Sequence, residues 1–379
     1  MRRPPWIVRL AAKHHRLACA LAIGGLAMGM ATAGWADTQR VVFGPTIASA
    51  SGPDGTAPWT VRVQGRVFEP AEGSRKRQWM VDALAPVLGG NRRDPLYRQR
   101  AGLVVSDSVD NTRIAINILG RVVTLPKSDA AGCFASDVAL TSAESARLQR
   151  QGKLHFRLQG AKGRPGGTEG IALAVPAHGV TVVTDIDDTI KDTHMADPQE
   201  AKANTFVRPF KAVPGMADLY RGWQAASGGA LHFHVVSAGP WQLHAALQQF
   251  TNEAGFPAFS WDMRCIDLTD PSQLVKELLA PDPQRLQDFK LASIRALMQR
   301  LPERHVVLVG DSGERDPETY ADIVKEFGAR VDAVYIRDMD PGRPERRNYD
   351  ALYPTSDARA KLQVFERPTD LPSQLAAPR

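Results

Sequence analysis

Three aspartates lie close together at the end of a run of β-branched residues. Asp185, Asp187 and Asp188 close the stretch VTVVTDIDDT, residues 180–189. Side chains two residues apart on an extended backbone project to the same side, so Asp185 and Asp187 are expected to face one place. Carboxylates held that close repel one another, and a hard divalent cation such as Mg²⁺ would relieve the repulsion. The stretch therefore indicates a metal site. A strand end followed by a turn is the structural alternative, and Asp188 is expected to shape the loop.

Three further segments bring polar side chains to the ends of apolar runs or to the helices that feed them. Ser237 stands in VVSAGPW, Asp311 and Asp316 stand in VGDSGERDPETY, and Lys290 stands in DFKLASI. Lys290 is expected to begin the helix that precedes the third strand of the series. Because ligands bind beyond the carboxyl ends of parallel strands, these side chains are expected to meet at one rim of a sheet.

The second half of the chain alternates short apolar runs with helical patterns. The predicted strands cover residues 180–184, 231–236, 305–310 and 331–336. The predicted helices cover 216–226, an apolar repeat from Leu291 to Leu301, and 320–327. Strands that are apolar on both faces and joined by helices predict a parallel sheet covered on both sides. The expected fold class is therefore α/β.

The first half shows a different pattern. Apolar residues alternate with polar ones in four segments, 59–67, 114–118, 154–158 and 171–175. A period of two with one wet face predicts antiparallel strands, arranged as a β-rich, sandwich-like domain. One short helix is expected around residues 80–88, where Pro86 weakens the pattern. The glycine-rich segment 160–170 lacks the Gly-Lys-Ser/Thr ending of a phosphate loop, so no chemistry is assigned to it.

The first 36 residues have the pattern of a secretory signal. They combine a basic head, an apolar run from Leu17 to Met30, and small residues at Gly34 and Ala36. The apolar run is shorter than the about 20 residues that a membrane span needs, so no transmembrane segment is expected in the mature chain. The expected location is periplasmic or secreted.

The basic charge of the chain belongs largely to this leader. Removing its five basic residues lowers the formal net charge from +6 to +1, which leaves no basic excess to indicate nucleic acid. Cys133 and Cys265 remain, too few for a metal site; an oxidising compartment would allow them to pair, and the sequence leaves this open. The remaining 343 residues suit two domains, with expected bounds of 37–176 and 177–379.

These segments resemble a known family. The order Asp-x-Asp-x-Thr, Ser, Lys and Gly-Asp-x-x-x-x-Asp is similar to that of the phosphatase branch of the haloacid dehalogenase superfamily. The segments DIDDTIKDT, VSAGPWQL, GDSGERDPETY and VYIRD resemble most closely the phosphatidate phosphatases of the actin-patch-protein type, relatives of the lipins. The likeness covers roughly residues 179–340 and departs from the family at 255–267. The first half resembles the family's leading β-rich region only loosely.

The resemblance implies a Rossmann-like catalytic domain of the haloacid dehalogenase type, with a small cap and a need for Mg²⁺. Asp185 would attack phosphorus and form an aspartyl-phosphate, and Asp187 would act first as general acid and then as general base. The implied metal-binding residues are Asp185, Asp187 through its main-chain carbonyl, Asp311 and Asp316. The implied phosphate-binding residues are Thr189, Ser237 and Lys290.

The implied reaction is hydrolysis of phosphatidate to diacylglycerol and phosphate. A small cap would leave the site open to a phosphate headgroup presented at a membrane surface. Two alternatives stay open: a phosphatase of a soluble phosphate ester, and a non-catalytic protein that binds an envelope component. No nucleic-acid partner is expected, and the sequence indicates no oligomeric state.

Several residues have competing interpretations. Asp316 begins the segment Asp-Pro-Glu, so it could cap a helix as readily as it could serve the metal. Lys276 is the alternative to Lys290 for binding phosphate. His232 and His234 share one face of an interior strand and are expected to pack against a helix rather than to bind metal.

Other side chains could meet a ligand or a membrane. Arg337 is expected either to reach a substrate anion or to be solvated, and Trp241 either to anchor the chain at an interface or to pack in the core. Arg343, Arg346 and Arg347 could meet an anionic membrane surface, with a solvated loop as the preferred interpretation.

Overall fold

Two β-sheets, one in each half of the chain, organise the structure. The computed structural model describes residues 38–50, 58–160, 169–341 and 348–375, which belong to one compact unit. The expected leader, most of the glycine-rich segment and the basic loop with Arg343, Arg346 and Arg347 lie outside the described residues. The expected domain bounds stay predictions.

The amino-terminal sheet contains nine strands in the described part of the chain. They are β1 (Arg40–Phe43), β2 (Thr46–Ala50), β3 (Trp59–Glu69), β4 (Asp107–Ser108), β5 (Ala115–Ile118), β6 (Arg121–Thr124), β7 (Cys133–Ala139), β8 (Lys153–Leu158) and β9 (Glu169–Val175). Their order is β1-β3-β2-β9-β8-β5-β6, with β4 and β7 also paired to β3. Only the pair of β2 and β9 is parallel among these described pairs. The four predicted segments fall on β3, β5, β8 and β9. Hydrogen bonds join all nine strands in one sheet, so a two-sheet sandwich is not confirmed.

In the described ranges of this half, three α-helices accompany the sheet: α1 (Arg75–Leu84), α2 (Pro95–Val104) and α3 (Ser142–Gln151). The predicted helix corresponds to α1, which begins after the cap residue Ser74 and ends before Pro86, because a proline cannot continue the helical hydrogen bonds. The apolar pattern does not reveal α2 and α3, but their caps are visible in the sequence. Asp94 caps α2 just before a proline, and Thr141 forms a capping box with Glu144 at α3.

The carboxyl-terminal sheet contains six parallel strands among the described residues. They are β10 (Val180–Thr184), β11 (Leu231–Pro240), β12 (Phe259–Arg264), β13 (His305–Asp311), β14 (Val331–Arg337) and β15 (Leu362–Phe365), in the order β12-β11-β10-β13-β14-β15. The predicted parallel sheet and α/β class are confirmed, and the four predicted runs are β10, β11, β13 and β14. The sequence pattern misses the edge strands β12 and β15, since polar residues such as Asp262 and Gln363 interrupt their apolar runs.

Eight helices connect and cover these strands in the described residues. They are α4 (Pro198–Lys202), α5 (Met216–Ala226), α6 (His244–Glu253), α7 (Pro271–Leu279), α8 (Pro283–Arg300), α9 (Asp316–Phe327), α10 (Tyr349–Leu352) and α11 (Ser356–Lys361). A π-helical turn, Ala203–Val207, continues α4, and we call residues 198–210 the cap. This segment lies between Thr189 and Val213, and its function as a small cap stays a prediction. None of the helices in the described ranges is long and apolar enough to cross a membrane.

Apolar side chains cover both faces of the parallel sheet. On one face, Val182 and Phe233 belong to a buried cluster with Tyr220 of α5, whose ring stacks on Phe233. On the other face, Val183 belongs to a second cluster with Ile294 of α8. Because both faces are covered, a ligand can approach the strands at their ends. The site described next lies at the carboxyl end.

The two sheets are tied together at β12. Gln64 of β3 donates from Nε2 to the main-chain oxygen of Trp261 at 2.6 Å, and the Trp261 N–H donates to the oxygen of Pro45 at 3.2 Å. A disulfide joins Cys133, at the start of β7, to Cys265, which directly follows β12. The cysteines therefore pair, which the sequence had left open.

Candidate active site

The central strands of the parallel sheet bring three predicted residues to one rim. β10 pairs with β11 and β13, and the N–H of Asp185 donates to the oxygen of Val309 at 3.0 Å, just before the end of β13. Asp311 is the last residue of β13, and Ser237 lies in the last part of β11, three residues before its end. A cavity of about 290 Å³ opens at this rim, and Asp185, Asp187 and Ser237 line it. The convergence predicted from the sequence is therefore observed.

Asp185 is buried at the base of this cavity, with 1% of its surface exposed. Its Oδ1 lies 3.1 Å from Nζ of Lys290, and its Oδ2 has no hydrogen-bond partner. Burial raises the pKa of the Asp185 carboxyl well above its ordinary value; Lys290 opposes this rise and Asp316 adds to it. The site therefore holds Asp185 in place while leaving one oxygen available to a ligand.

Asp311, like Asp185, has one carboxylate oxygen with a polar partner and one without. It is fully buried, its Oδ1 accepts from the N–H groups of Gly313 at 2.6 Å and Glu314 at 3.2 Å, and its Oδ2 has no partner. Burial raises the pKa of the Asp311 carboxyl well above its ordinary value, and the nearby Asp316 and Glu314 add to the rise. An ionised carboxylate in this position is costly unless a cation approaches it.

The donor atoms at this rim fit a hard divalent cation. Carboxylate oxygens of Asp185, Asp311 and Glu314 lie within 4.8 Å of one another. Two of these groups have a buried oxygen that accepts no hydrogen bond, and oxygen ligands are what Mg²⁺ prefers. The sequence reasoning missed Glu314, although it stands three residues after Asp311 in the quoted motif. The Asp187 side chain and Asp316 do not belong to this group of oxygens in the described residues.

Asp316 serves Lys290 in this geometry. It is fully buried, its Oδ1 accepts from Lys290 Nζ at 2.6 Å, and its Oδ2 accepts from the Asp311 N–H at 3.3 Å. Asp316 is the first residue of α9, and the cap position before it is Arg315, without a side-chain cap bond. The structure therefore shows no capping bond by Asp316. A role of Asp316 beside the metal stays a prediction.

Lys290 is the central cation of the site. Contrary to the sequence expectation it lies inside α8 rather than at its start, because Asp282 and Pro283 begin that helix earlier. Its Nζ contacts Asp185, Glu314 at 3.2 Å and Asp316. Burial would lower the pKa of Lys290, but Asp185 and Asp316 outweigh it and raise the pKa well above its ordinary value. The alternative, Lys276, is exposed on α7.

Asp187 stands apart from that cluster, in the wall of the cavity. Its Oδ1 accepts from Nζ of Lys191 at 2.9 Å and from Oγ1 of Thr193 at 2.6 Å. Burial alone would raise the pKa of Asp187, but Lys191 and Thr193 outweigh it and hold the pKa below its ordinary value. The sequence reasoning missed both partners, although they stand in the same quoted segment, DIDDTIKDT.

The two hydroxyl residues predicted to bind phosphate differ in position. Ser237 lines the cavity, and its Oγ accepts from the Gly239 N–H at 3.2 Å. Thr189 is fully buried, its Oγ1 has no hydrogen-bond partner, and it does not belong to the described cavity lining. Contact of Thr189 with a phosphate has no support in this geometry.

Asp188 builds the loop that follows β10, as expected from the sequence. It adopts a φ of 55°, and its carboxylate accepts from the N–H groups of Thr193, His194 and Met195 at 2.6–2.9 Å. Arg337 donates to the main-chain oxygen of Asp188 at 2.7 Å. Arg337 therefore holds this loop, a role that neither interpretation from the sequence included.

The remaining candidates are packed in the interior. Ring nitrogens of His232 and His234 lie 2.8 and 2.6 Å from Oγ of Ser260, so both histidines are satisfied within the sheet. Trp241 is buried and stacks on His244 with ring centroids 4.8 Å apart. The packing interpretations describe these residues.

Most of the cavity wall is apolar, which the sequence reasoning did not predict. Its apolar side chains come from the loop after β10, the cap, the turn before α6, α6 to α8, and β12 with the loop that follows it: Met195, Phe206, Phe210, Leu243, Leu247, Met263, Ile266, Leu268, Leu278 and Leu286. Arg264 and Glu277 form an ion pair in the same wall. A polar base with an apolar wall suits a ligand that has a charged group at one end and a hydrocarbon part at the other.

Fold and site together define an α/β protein with a cluster of acidic side chains at the carboxyl rim of a parallel sheet. Residues 180–338 match the family model described as "Phosphatidate phosphatase APP1, catalytic domain". The chain is 29% identical over 165 residues to an uncharacterized protein of Schizosaccharomyces pombe, and 26% identical over 166 residues to "Phosphatidate phosphatase APP1" of Saccharomyces cerevisiae. The segment 180–338 is thus similar to the catalytic domain of the actin-patch-protein-type phosphatidate phosphatases, which confirms the resemblance predicted from the motifs and supports a phosphatase.

The extent of this similarity is limited. Each alignment covers 43% of this chain, and the chain spans about a quarter (26%) of the length of either relative. The matched segment runs from β10 to the residue after β14 and contains every rim residue described above. It includes none of the amino-terminal sheet or its helices.

Proposed function

We propose that the protein is a Mg²⁺-dependent phosphomonoesterase of the haloacid dehalogenase type, and that its substrate is phosphatidate, which it converts to diacylglycerol and phosphate. One observation carries this proposal. Asp185 and Asp311 are buried side by side with an unpartnered oxygen each, at the base of a cavity whose wall is largely apolar.

Asp185 acts as the nucleophile. A carboxylate oxygen of Asp185 forms a bond to phosphorus while the bond between phosphorus and the alcohol oxygen breaks, which gives an aspartyl-phosphate and releases the alcohol. Lys290 holds Oδ1 of Asp185 and places a positive charge beside the phosphoryl oxygens. Ser237, across the rim, donates its hydroxyl hydrogen to one of those oxygens.

Asp187 transfers the protons of both steps. It gives a proton to the leaving alcohol oxygen in the first step and takes a proton from the attacking water in the second, in which the phosphate is released and Asp185 is restored. In the substrate-free site Lys191 favours the ionised carboxylate. The dianionic phosphate opposes that effect when it binds, so the Asp187 pKa rises at the moment when the acid is needed.

The acids of the rim would hold the metal. Asp185, Asp311 and Glu314 are the side chains that would bind Mg²⁺, and the ion would supply positive charge for the phosphoryl oxygens. Lys290 and Asp316 keep these carboxylates oriented before the metal arrives. The main-chain carbonyl of Asp187 remains a further candidate ligand by family resemblance.

Two observations support phosphatidate rather than a soluble ester. The apolar cavity wall can receive acyl chains while the phosphate lies at Asp185. The matched relative from Saccharomyces cerevisiae is named a phosphatidate phosphatase. A lipid surface is therefore the partner that we propose for this site, with no nucleic acid involved.

The proposal includes an exported, periplasmic or secreted protein. The signal-like sequence of residues 1–36 supports it, and so does the disulfide between Cys133 and Cys265, since disulfides persist in oxidising compartments.

Phosphate release from a substrate panel tests the proposal. The purified chain is incubated with phosphatidate vesicles, lysophosphatidate, glycerol 3-phosphate and a nucleoside monophosphate, each with Mg²⁺ or with a chelator, and Asp185→Asn serves as the matched control. We expect Mg²⁺-dependent release from phosphatidate that is absent in the variant. Release from the soluble esters alone would establish the soluble-ester alternative, and no release from any ester would favour the non-catalytic one.

A further inference from the structure

The amino-terminal half contributes a buried arginine to the cap of the catalytic half. Arg100 lies on α2, with 5% of its surface exposed. Its Nη1 donates to the main-chain oxygens of Thr205 at 3.0 Å and Arg208 at 2.6 Å. Its guanidinium carbon lies 3.5 Å from the centre of the Phe210 ring. All three partners belong to the cap.

These contacts lie at the end of the π-helical turn, where main-chain carbonyls of the cap have no hydrogen-bond donor within the cap. The last carbonyls of a short helical segment have no partner within that segment, and the π-helical turn Ala203–Val207 ends at this point. Arg100 supplies the missing donor. The charge–ring contact with Phe210 adds to these hydrogen bonds, and it is stronger away from water.

The cap residues that Arg100 holds form part of the substrate cavity. Thr205, Phe206 and Phe210 all line it. The Phe210 ring also lies 5.1 Å from Nζ of Lys191, the lysine that donates to Asp187. One continuous set of contacts therefore connects α2 to the apolar wall and to the proton-transferring aspartate.

Burial of the Arg100 guanidinium has a desolvation cost, and no carboxylate among the partners described above offsets it. Burial lowers the pKa of Arg100 to about 10, and the partners described above are two carbonyl oxygens and a ring rather than a carboxylate. Arg304 provides a matched case elsewhere: it is also buried and also donates to carbonyl oxygens, such as that of Ala230, at the amino ends of the parallel strands.

We propose that Arg100 is a positioning residue that fixes the cap, and that it thereby sets the preference of the site for substrates with an apolar part. The amino-terminal half is then a component of the substrate site. This inference rests on the proposed function for its substrate preference, but the positioning of the cap can be tested without activity.

The experiment compares Arg100→Met with Arg304→Met in the full chain. Two properties are measured: kcat/KM for phosphatidate relative to glycerol 3-phosphate, and amide hydrogen exchange of residues 198–211. In Arg100→Met we expect the ratio to fall by up to about 10²-fold, mainly through a higher KM for phosphatidate, because the wall that contacts the acyl chains is displaced. We expect faster exchange in the cap of the same variant. Arg304→Met keeps both properties of the wild type.

The outcomes separate this inference from the proposed function. A ratio or a cap exchange rate in Arg100→Met that equals that of Arg304→Met overturns the inference. If the wild type hydrolyses neither ester, the proposed function fails, and hydrogen exchange alone decides whether Arg100 positions the cap. If the methionine variants do not fold, Arg100→Lys and Arg304→Lys replace them, since lysine keeps the charge but lacks the planar guanidinium. The same changes, smaller in size, are then expected.

Discussion

Two groups of charged side chains lie at the same cavity and differ in charge balance. One has more acids than cations, and the other has one acid for one lysine. The four-acid cluster consists of Asp185, Asp311, Glu314 and Asp316 around the single cation Lys290. The Asp187 pair consists of one aspartate and one lysine, Lys191, supported by Thr193. Burial raises the pKa of Asp185 and Asp311, whereas Lys191 and Thr193 overcome burial and hold the pKa of Asp187 down.

The difference separates two tasks. The four-acid cluster has more acids than its lysine can balance and two unpartnered oxygens, so a further cation would stabilise it. The Asp187 pair is balanced by itself and needs no metal to stay ionised. In the proposed function, a cation-binding centre and a proton-transferring group thus stand two residues apart in sequence.

The largest expected effect comes from Asp185→Asn. The amide keeps the shape of the side chain but cannot form the phosphoenzyme, so we expect kcat to fall by about 10⁴-fold or more. Steady-state phosphate release measures this loss. Asp332→Asn is the matched control, because Asp332 lies at the amino ends of the strands. Its Oδ1 is 2.7 Å from Nδ1 of His305. Full activity in Asp185→Asn would remove the nucleophile from the mechanism.

Asp187→Asn should cost less and leave metal binding intact. Loss of the general acid and base is expected to lower kcat by about 10²–10⁴-fold. The rise of Tm on adding Mg²⁺ should match that of the wild type, since the Asp187 side chain lies outside the group of oxygens formed by Asp185, Asp311 and Glu314. Differential scanning fluorimetry with and without Mg²⁺ decides this. Loss of the Tm response to Mg²⁺ in this variant would mean that the Asp187 side chain binds the metal.

Lys191→Met should change the pH dependence more than the maximal rate. Without the lysine, burial is opposed less strongly, chiefly by Thr193, and the pKa of Asp187 rises. The descending limb of kcat/KM, where the acid loses the proton that it donates, should move to higher pH. Lys202→Met is the control, because Lys202 also lines the cavity from the cap. An unmoved or lowered limb in Lys191→Met would show that Lys191 does not set this pKa.

The same contrast explains how far the sequence can be interpreted. β10 was predicted with its observed bounds because a buried parallel strand is a continuous apolar run, and Asp185, Ser237 and Asp311 follow from where such runs end. Glu314 and Lys191 were missed because their roles depend on how far a side chain reaches across the rim. Contacts between the halves, such as those of Arg100, depend on tertiary packing and have no local pattern.

The smallest expected effect is a change in Tm, which tests whether the four-acid cluster has an excess of negative charge. Asp311→Asn removes one buried negative charge, while its amide oxygen can still accept from the N–H groups of Gly313 and Glu314. In a chelator at neutral pH, the variant should melt a few degrees above the wild type, because the Asp311 carboxyl is ionised in the unfolded chain while its raised pKa destabilises the metal-free fold. Since the folded pKa is raised, that destabilisation is absent below the ordinary pKa and grows as pH rises through the raised one. The Tm difference should therefore shrink on acidification.

Mg²⁺ should reverse the order of the two proteins. At 100 times its Kd, a cation that binds only the folded state stabilises the wild type by about 2.7 kcal/mol, and Asp311→Asn should lose most of this gain. Thermal melts at several pH values, in chelator and in excess Mg²⁺, measure both effects, and Asp332→Asn should show neither. A variant that melts below the wild type in chelator, or responds equally to Mg²⁺, would mean that the cluster is already balanced without a metal. The four-acid cluster and the Asp187 pair would then not differ in charge balance, because Lys290 alone would satisfy all four acids.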